Sequence, residues 1–118
     1  MSNKTTNKLF ILIIAAILFP TVSMADSQVN AGETVFNKSC SRCHGIKGSG
    51  TESGPPLVNK IYEPGHHSDM SFHFAVNRGV RAHHWKFGNM PRIKGVSSKE
   101  VDQIIQYIRG LQREAGII

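Results

Sequence analysis

Cys40-Ser41-Arg42-Cys43-His44 decides how this chain is read. These are the chain's only cysteines, and an imidazole follows the second one directly. Two thiols one helical turn apart can add across the two vinyl groups on one edge of a porphyrin. The residue after them then lies under the ring, where its imidazole can bind iron. Cys-x-x-Cys-His is therefore read as an attachment site for one covalent c-type haem, with Cys40 and Cys43 as thioether donors and His44 as an axial iron ligand. Three alternatives fit less well. A disulfide here would close a very small loop and stabilise little. A thioredoxin-like dithiol needs a βαβ pattern that is not visible. Zinc needs more sulfur and nitrogen ligands at fixed spacing.

The remaining chain must then enclose a haem. It has 118 residues, enough for one domain and little more. Its start has a separate meaning. Lys4 and Lys8 precede an unbroken apolar run from Leu9 to Phe19, Pro20 breaks the run, and Ser23-Met24-Ala25 fits a small-x-small cleavage rule. Residues 1–25 are expected to be a secretory signal peptide and 26–118 the mature domain. The run falls short of the ~20 apolar residues of a spanning helix, so no membrane span is expected after cleavage. An uncleaved anchor is the alternative, and the expected location is the periplasm. Loss of Lys4 and Lys8 lowers the formal charge from +6 to +4. So mild a charge does not call for a nucleic-acid partner.

Helical signals dominate the mature chain. Asn30 to Cys43 is expected to be helical, with Asn30 and Glu33 as a capping-box-like pair and Gly32, Phe36 and Cys40 on one face. Gly45 supplies the turn that ends it. Gly45 to Gly54 reads as a loop, leading into Gly54-Pro55-Pro56-Leu57. A rigid prolyl carbonyl there could accept the free ring N–H of His44; a plain Pro-Pro turn is the other reading. Ser68 to Asn77 reads as a helix with Ser68 as cap, Gly79 as stop, and a buried face of Phe72, Ala75 and Val76 extended by Phe74 and Met70. Ser97 to Gln112 is the clearest helix. Ser97-x-x-Glu100 forms a capping box, and Val101, Ile104, Ile105, Ile108 and Leu111 make a stripe at helical spacing beside Tyr107. Arg109 and Arg113 suit its negative end. No strand shows convincing alternation. The expected fold is all-α, with three main helices and long loops around the haem.

The irregular, aromatic stretch from Val80 to Gly95 is expected to cover the haem face opposite His44. The candidates for the second axial position are Met70, Met90, His66, His67, His73, His83 and His84. Met90, in the loop Gly88-Asn89-Met90-Pro91, is preferred, because Met70 sits in a predicted helix where methionine is commonly core filler. His66, His67 and His73 are expected to be solvent-exposed and to titrate near neutrality. His83 and His84 lie nearer the haem face. Taken together the histidines also raise a lesser possibility, a copper or zinc site in an exported protein.

These residues resemble the class I monohaem c-type cytochromes of bacterial respiratory chains, over essentially the whole mature chain. The resemblance implies Cys40 and Cys43 as thioether cysteines and His44 as proximal ligand. It implies the Pro55 carbonyl as partner of His44, Leu57 as haem packing, and Met90 as the distal ligand. It further implies that Gly32 and Phe36 cross the C-terminal helix near Tyr107 and Leu111. The histidine-rich middle and the position of Trp85 depart from the pattern; Trp85 is expected to pack on the haem.

With imidazole and thioether both bound, iron can change charge but has no vacancy for substrate. The expected role is an electron carrier rather than an enzyme, moving single electrons between redox proteins. Lys38, Arg42, Lys47, Lys86 and Lys94 would steer it to acidic docking patches. If Met90 is a loose ligand, the open iron would instead bind small ligands or reduce peroxide.

Overall fold

A computed structural model describes residues 23–118. Among the described residues four α-helices carry the architecture: α1 Met24–Ser39, α2 Ser41–His44, α3 Asp69–Arg78 and α4 Ser98–Glu114. Short 3₁₀ turns at Ile46–Gly48 and Lys60–Tyr62 punctuate the long loop between α2 and α3. Among the described residues β-pairing is confined to two isolated bridges. The all-α expectation holds. The expected signal segment lies outside the described residues except for Ser23, Met24 and Ala25, which form the cap and first residues of α1.

Helix α1 crosses α4, and that crossing forms the core. Phe36, Leu57, Ile104, Tyr107 and Ile108 make one buried cluster; Val76, Val101 and Ile105 make a second beneath α3. Phe36 and Tyr107 meet at 5.7 Å between ring centroids. The close approach is made at Gly32, where a Cβ would lie 2.0 Å from the Gln103 carbonyl oxygen. The crossing is thus centred on Gln103 and Tyr107, one to two turns before Leu111. Two side-chain hydrogen bonds flank it, Gln103 Nε2 to Gln28 at 2.9 Å and the Tyr107 hydroxyl to Glu33 at 3.2 Å.

Several local expectations need correction. Helix α1 begins six residues before Asn30, at Met24, so Asn30 is an interior residue whose carbonyl accepts from Thr34. A continuous helix into Cys43 is interrupted at Cys40, whose φ of −124° closes α1 before α2 resumes. Ser68 is the N-cap of α3 by position, yet its side chain makes no capping bond. Met70 and Phe74 are not on the buried face of α3; they are 55% and 49% exposed. Arg109 is not at a solvated helix end. It is 6% exposed and donates to Asp69, to the carbonyls of Tyr62 and His67, and to Gln112. The capping box of α4 forms as expected, with Ser97 and Glu100 bonding reciprocally.

Candidate haem site

The motif occupies the kink between α1 and α2. Cys40 is half-buried and Cys43 exposed. The backbone N–H groups of Cys43 and His44 both donate to the Cys40 carbonyl, at 3.1 and 2.9 Å, so one helical turn holds all three residues. Gly45, at φ 76°, then turns the chain away. The loop that follows folds back on the motif. Thr51 Oγ1 donates to the Cys43 carbonyl at 2.6 Å, and Gly54 packs so closely that a Cβ would lie 2.8 Å from the same oxygen. This close return delivers Pro55 to His44.

The Pro55 carbonyl lies 2.9 Å from His44 Nδ1. A carbonyl can only accept, so Nδ1 carries the proton and Nε2 is left as the nitrogen with a free lone pair. Burial lowers the imidazole's pKa, against a smaller opposing effect of the Pro55 hydrogen bond, and the neutral form is the one that binds metal. Burial also pushes the Cys40 thiol up to about 11, with the neighbouring Cys43 adding to the shift.

His44 and Cys40 line a cavity of about 490 Å³ whose walls are mostly apolar, including Phe36, Leu57, Phe72 and Ile104. Met90 and Trp85 line the same cavity. Met90 is held by its backbone. Its N–H donates to the Val80 carbonyl and its carbonyl accepts from the Val80 N–H, both at 2.9 Å. Asn89 Oδ1 closes the loop by accepting from Ala82 N–H at 2.9 Å. The indole N–H of Trp85 is buried without a hydrogen-bond partner. The Tyr62 hydroxyl is near enough to sense it but not in bonding geometry. Phe74 and Phe87, both well exposed, border the cavity as well. An apolar cavity with a thiol, a neutral imidazole and a thioether on its walls, and one orphaned donor, suits a flat apolar macrocycle with a metal at its centre and an acidic edge.

The seven candidates for a second ligand separate clearly. Met90, His67, His83 and His84 line the cavity, whereas Met70, His66 and His73 do not. His73 instead donates from Nε2 to Asp102 at 2.9 Å, tying α3 to α4. His67 and His73 are both half-buried, which corrects their expected exposure, and His67 donates from Nδ1 to the Ile61 carbonyl at 2.7 Å. Sequence reasoning missed Arg109 and Gln112. Gln112 is fully buried and donates to the carbonyls of Leu57 and Tyr62 at 2.9 and 3.1 Å, holding the loop that forms the cavity wall. A polar residue inside an apolar stripe was the only available signal.

Fold and site together define a small helical domain built to hold a macrocycle on a Cys-x-x-Cys-His turn. A sequence model of the Cytochrome c family matches residues 29–112. The chain belongs to that family; it carries covalently bound c-type haem and is a haem-binding electron-transfer protein. No curated protein and no solved structure matches it. Among the described residues no helix is long and apolar enough to cross a membrane.

Proposed function

We propose that the chain is an exported, six-coordinate electron carrier with His44 and Met90 as axial iron ligands. The haem supplies a reversible one-electron change at iron. The observation that carries the reading is the gathering of His44, its Pro55 partner and the backbone-pinned Met90 around one apolar cavity. Cys40 and Cys43 act as the thioether anchors. Pro55 fixes the orientation and tautomer of His44 and raises its basicity. Leu57, Phe36 and Ile104 exclude water, which disfavours the extra charge of the oxidised state and raises the potential. Trp85 packs at the cavity and brings its unpaired N–H, a donor suited to an acidic edge.

The partners are redox proteins with acidic patches. Lys38, Arg42, Lys47, Lys86 and Lys94 are all exposed, which supports fast, salt-sensitive encounter. Residues 1–25 act as a cleaved signal that places the domain in the periplasm, and its service is respiratory.

A redox titration of the holoprotein followed by visible and near-infrared spectroscopy tests the ligation. The expected result is a low-spin ferric haem with the weak red-edge band of sulfur-bound iron, lost in Met90→Ala. A high-spin ferric haem in the native protein, or a low-spin spectrum and potential that survive Met90→Ala, would remove Met90 from the iron.

A further inference from the structure

Two adjacent pairs of histidines, His66-His67 and His83-His84, come together at the wall of the haem cavity, and the proposed iron ligation uses none of them. His66 Nε2 and His84 Nε2 lie 3.0 Å apart. His67 joins them, and one ligand nitrogen from each of His66, His67 and His84 falls within 4.8 Å of the others. His83 stacks at the edge, with its ring 4.4 Å from that of His84 and 5.8 Å from that of His67. We propose that His66, His67 and His84 form a binding site for one borderline divalent transition metal, Cu²⁺ or Zn²⁺, separate from the haem iron.

Ligand chemistry and preorganisation carry the inference. Imidazole nitrogens suit copper and zinc, and three of them leave a further position for water. Two nitrogens bound to one ion at ~2.0–2.1 Å sit about 2.9–3.4 Å apart for angles between square and tetrahedral. The His66–His84 separation lies in that range. It also suits a hydrogen bond between neutral imidazoles, which an arriving ion would replace once the donor ring moves its proton from Nε2 to Nδ1.

His67 is fixed as an ordered ligand would be. Its Nδ1–H donates to the Ile61 carbonyl, which leaves Nε2 free and sets the tautomer. Its own carbonyl accepts from Arg109 Nη2 at 2.6 Å. The backbone N–H groups of His66 and His67 both donate to the Glu63 carbonyl, at 3.0 and 2.8 Å. The loop that carries His84 is closed at its base by the Val80–Met90 pair. A bound ion would therefore staple two loops that are each already anchored.

The test is isothermal titration of the oxidised holoprotein with Cu²⁺ alone and with Zn²⁺ alone, at about pH 7.5 where imidazole is neutral, with the haem spectrum recorded throughout. One ion per chain is expected, with a Kd below about 10 μM. Copper resonance should show hyperfine coupling to imidazole nitrogen, and excess Zn²⁺ should displace the copper if both use this site. His66→Gln with His84→Gln should weaken binding at least 100-fold, more than the roughly 10–100-fold cost of losing an outer-shell partner. His73→Gln, at a histidine engaged by Asp102, should leave it unchanged. Binding weaker than about 1 mM, or undiminished in the double variant, overturns the site. So does loss of the low-spin haem spectrum in His84→Gln alone, which would assign His84 to the haem iron instead.

Discussion

Replacing Gly32 with alanine asks whether the α1–α4 crossing sets the stability of the domain. The new Cβ would sit 2.0 Å from the Gln103 carbonyl oxygen, 2.6 Å from its carbon and 3.0 Å from Tyr107 Cβ. Two of these atoms are backbone, so no side chain can swing aside. The helices must separate by at least about 1 Å, a gap that forfeits a quarter to a half of each dispersion contact across it. Overpacking costs about 1–3 kcal/mol. The flanking bonds Gln103–Gln28 and Tyr107–Glu33 are strained together, at about 0.5–1.5 kcal/mol each. Alanine returns about 1 kcal/mol of helix propensity. The net loss is about 3 kcal/mol, a Tm fall of roughly 12–24 °C for a domain of this size. Thermal unfolding of the holoprotein followed by far-ultraviolet circular dichroism measures it. Gly110→Ala is the matched control: it lies within α4, and the nearest atom to its new Cβ is the far end of Arg113 at 3.9 Å. That variant should gain about 0.5–1 kcal/mol from propensity alone. A Tm for Gly32→Ala within about 4 °C of the parent, roughly the equivalent of 1 kcal/mol, would refute the argument, as would equal shifts in the two variants.

Other perturbations probe the loop and its supports. Gln112→Leu leaves the Leu57 carbonyl buried without its donor and should cost about 2–3 kcal/mol in urea unfolding with an unchanged m value; a loss under about 0.5 kcal/mol would show that the buried amide is dispensable. Trp85→Phe keeps the aromatic packing but deletes the unpaired N–H, so it should shift the haem potential while leaving the low-spin spectrum intact; an unchanged potential would mean that the N–H meets no charged group. Hydrogen bonds from Ser97 hold the Glu100 carboxyl below its ordinary value near 4.5. A lowered folded value means that its contribution is fully present above about pH 4.5 and is lost as pH falls through the folded value. Glu100→Gln should therefore flatten the acid limb of the Tm–pH curve, and an identical acid limb in the variant would contradict the linkage.

Much of the architecture was legible because it is written in local spacing. The stripe on α4 and its capping box lie within one segment, and periodicity reports such patterns directly. Gly45 and Gly79 marked real helix ends because only a few residue types turn the chain there at positive φ. Sequence reasoning did less well where a residue's environment is made by distant chain. Arg109 reads from sequence only as a charge suited to the helix end and Gln112 only as the helix's last residue, yet loop carbonyls from Leu57, Tyr62 and His67 make their burial tolerable. Phe74 and Met70 were assigned to a core by hydrophobicity alone, although α3 turns them outward. The histidines suggested a metal site as a lesser possibility, but not which of them meet: His66 and His84 are 18 positions apart, and only the folded loops bring their rings together.

The Gln28–Gln103 and Glu33–Tyr107 bonds span 75 and 74 positions, so the central crossing joins the first helix of the domain to the last. Synthesis delivers the Cys40–His44 turn long before α4 exists to cover Phe36. The crossing cannot form until nearly the whole domain has left the ribosome, and closing so long a loop is entropically slow. The thiols are thus chemically available throughout an interval in which the domain has no finished core. The order of events is built into the topology: the cofactor can be joined to an open chain, and the last helix then shuts the structure around it.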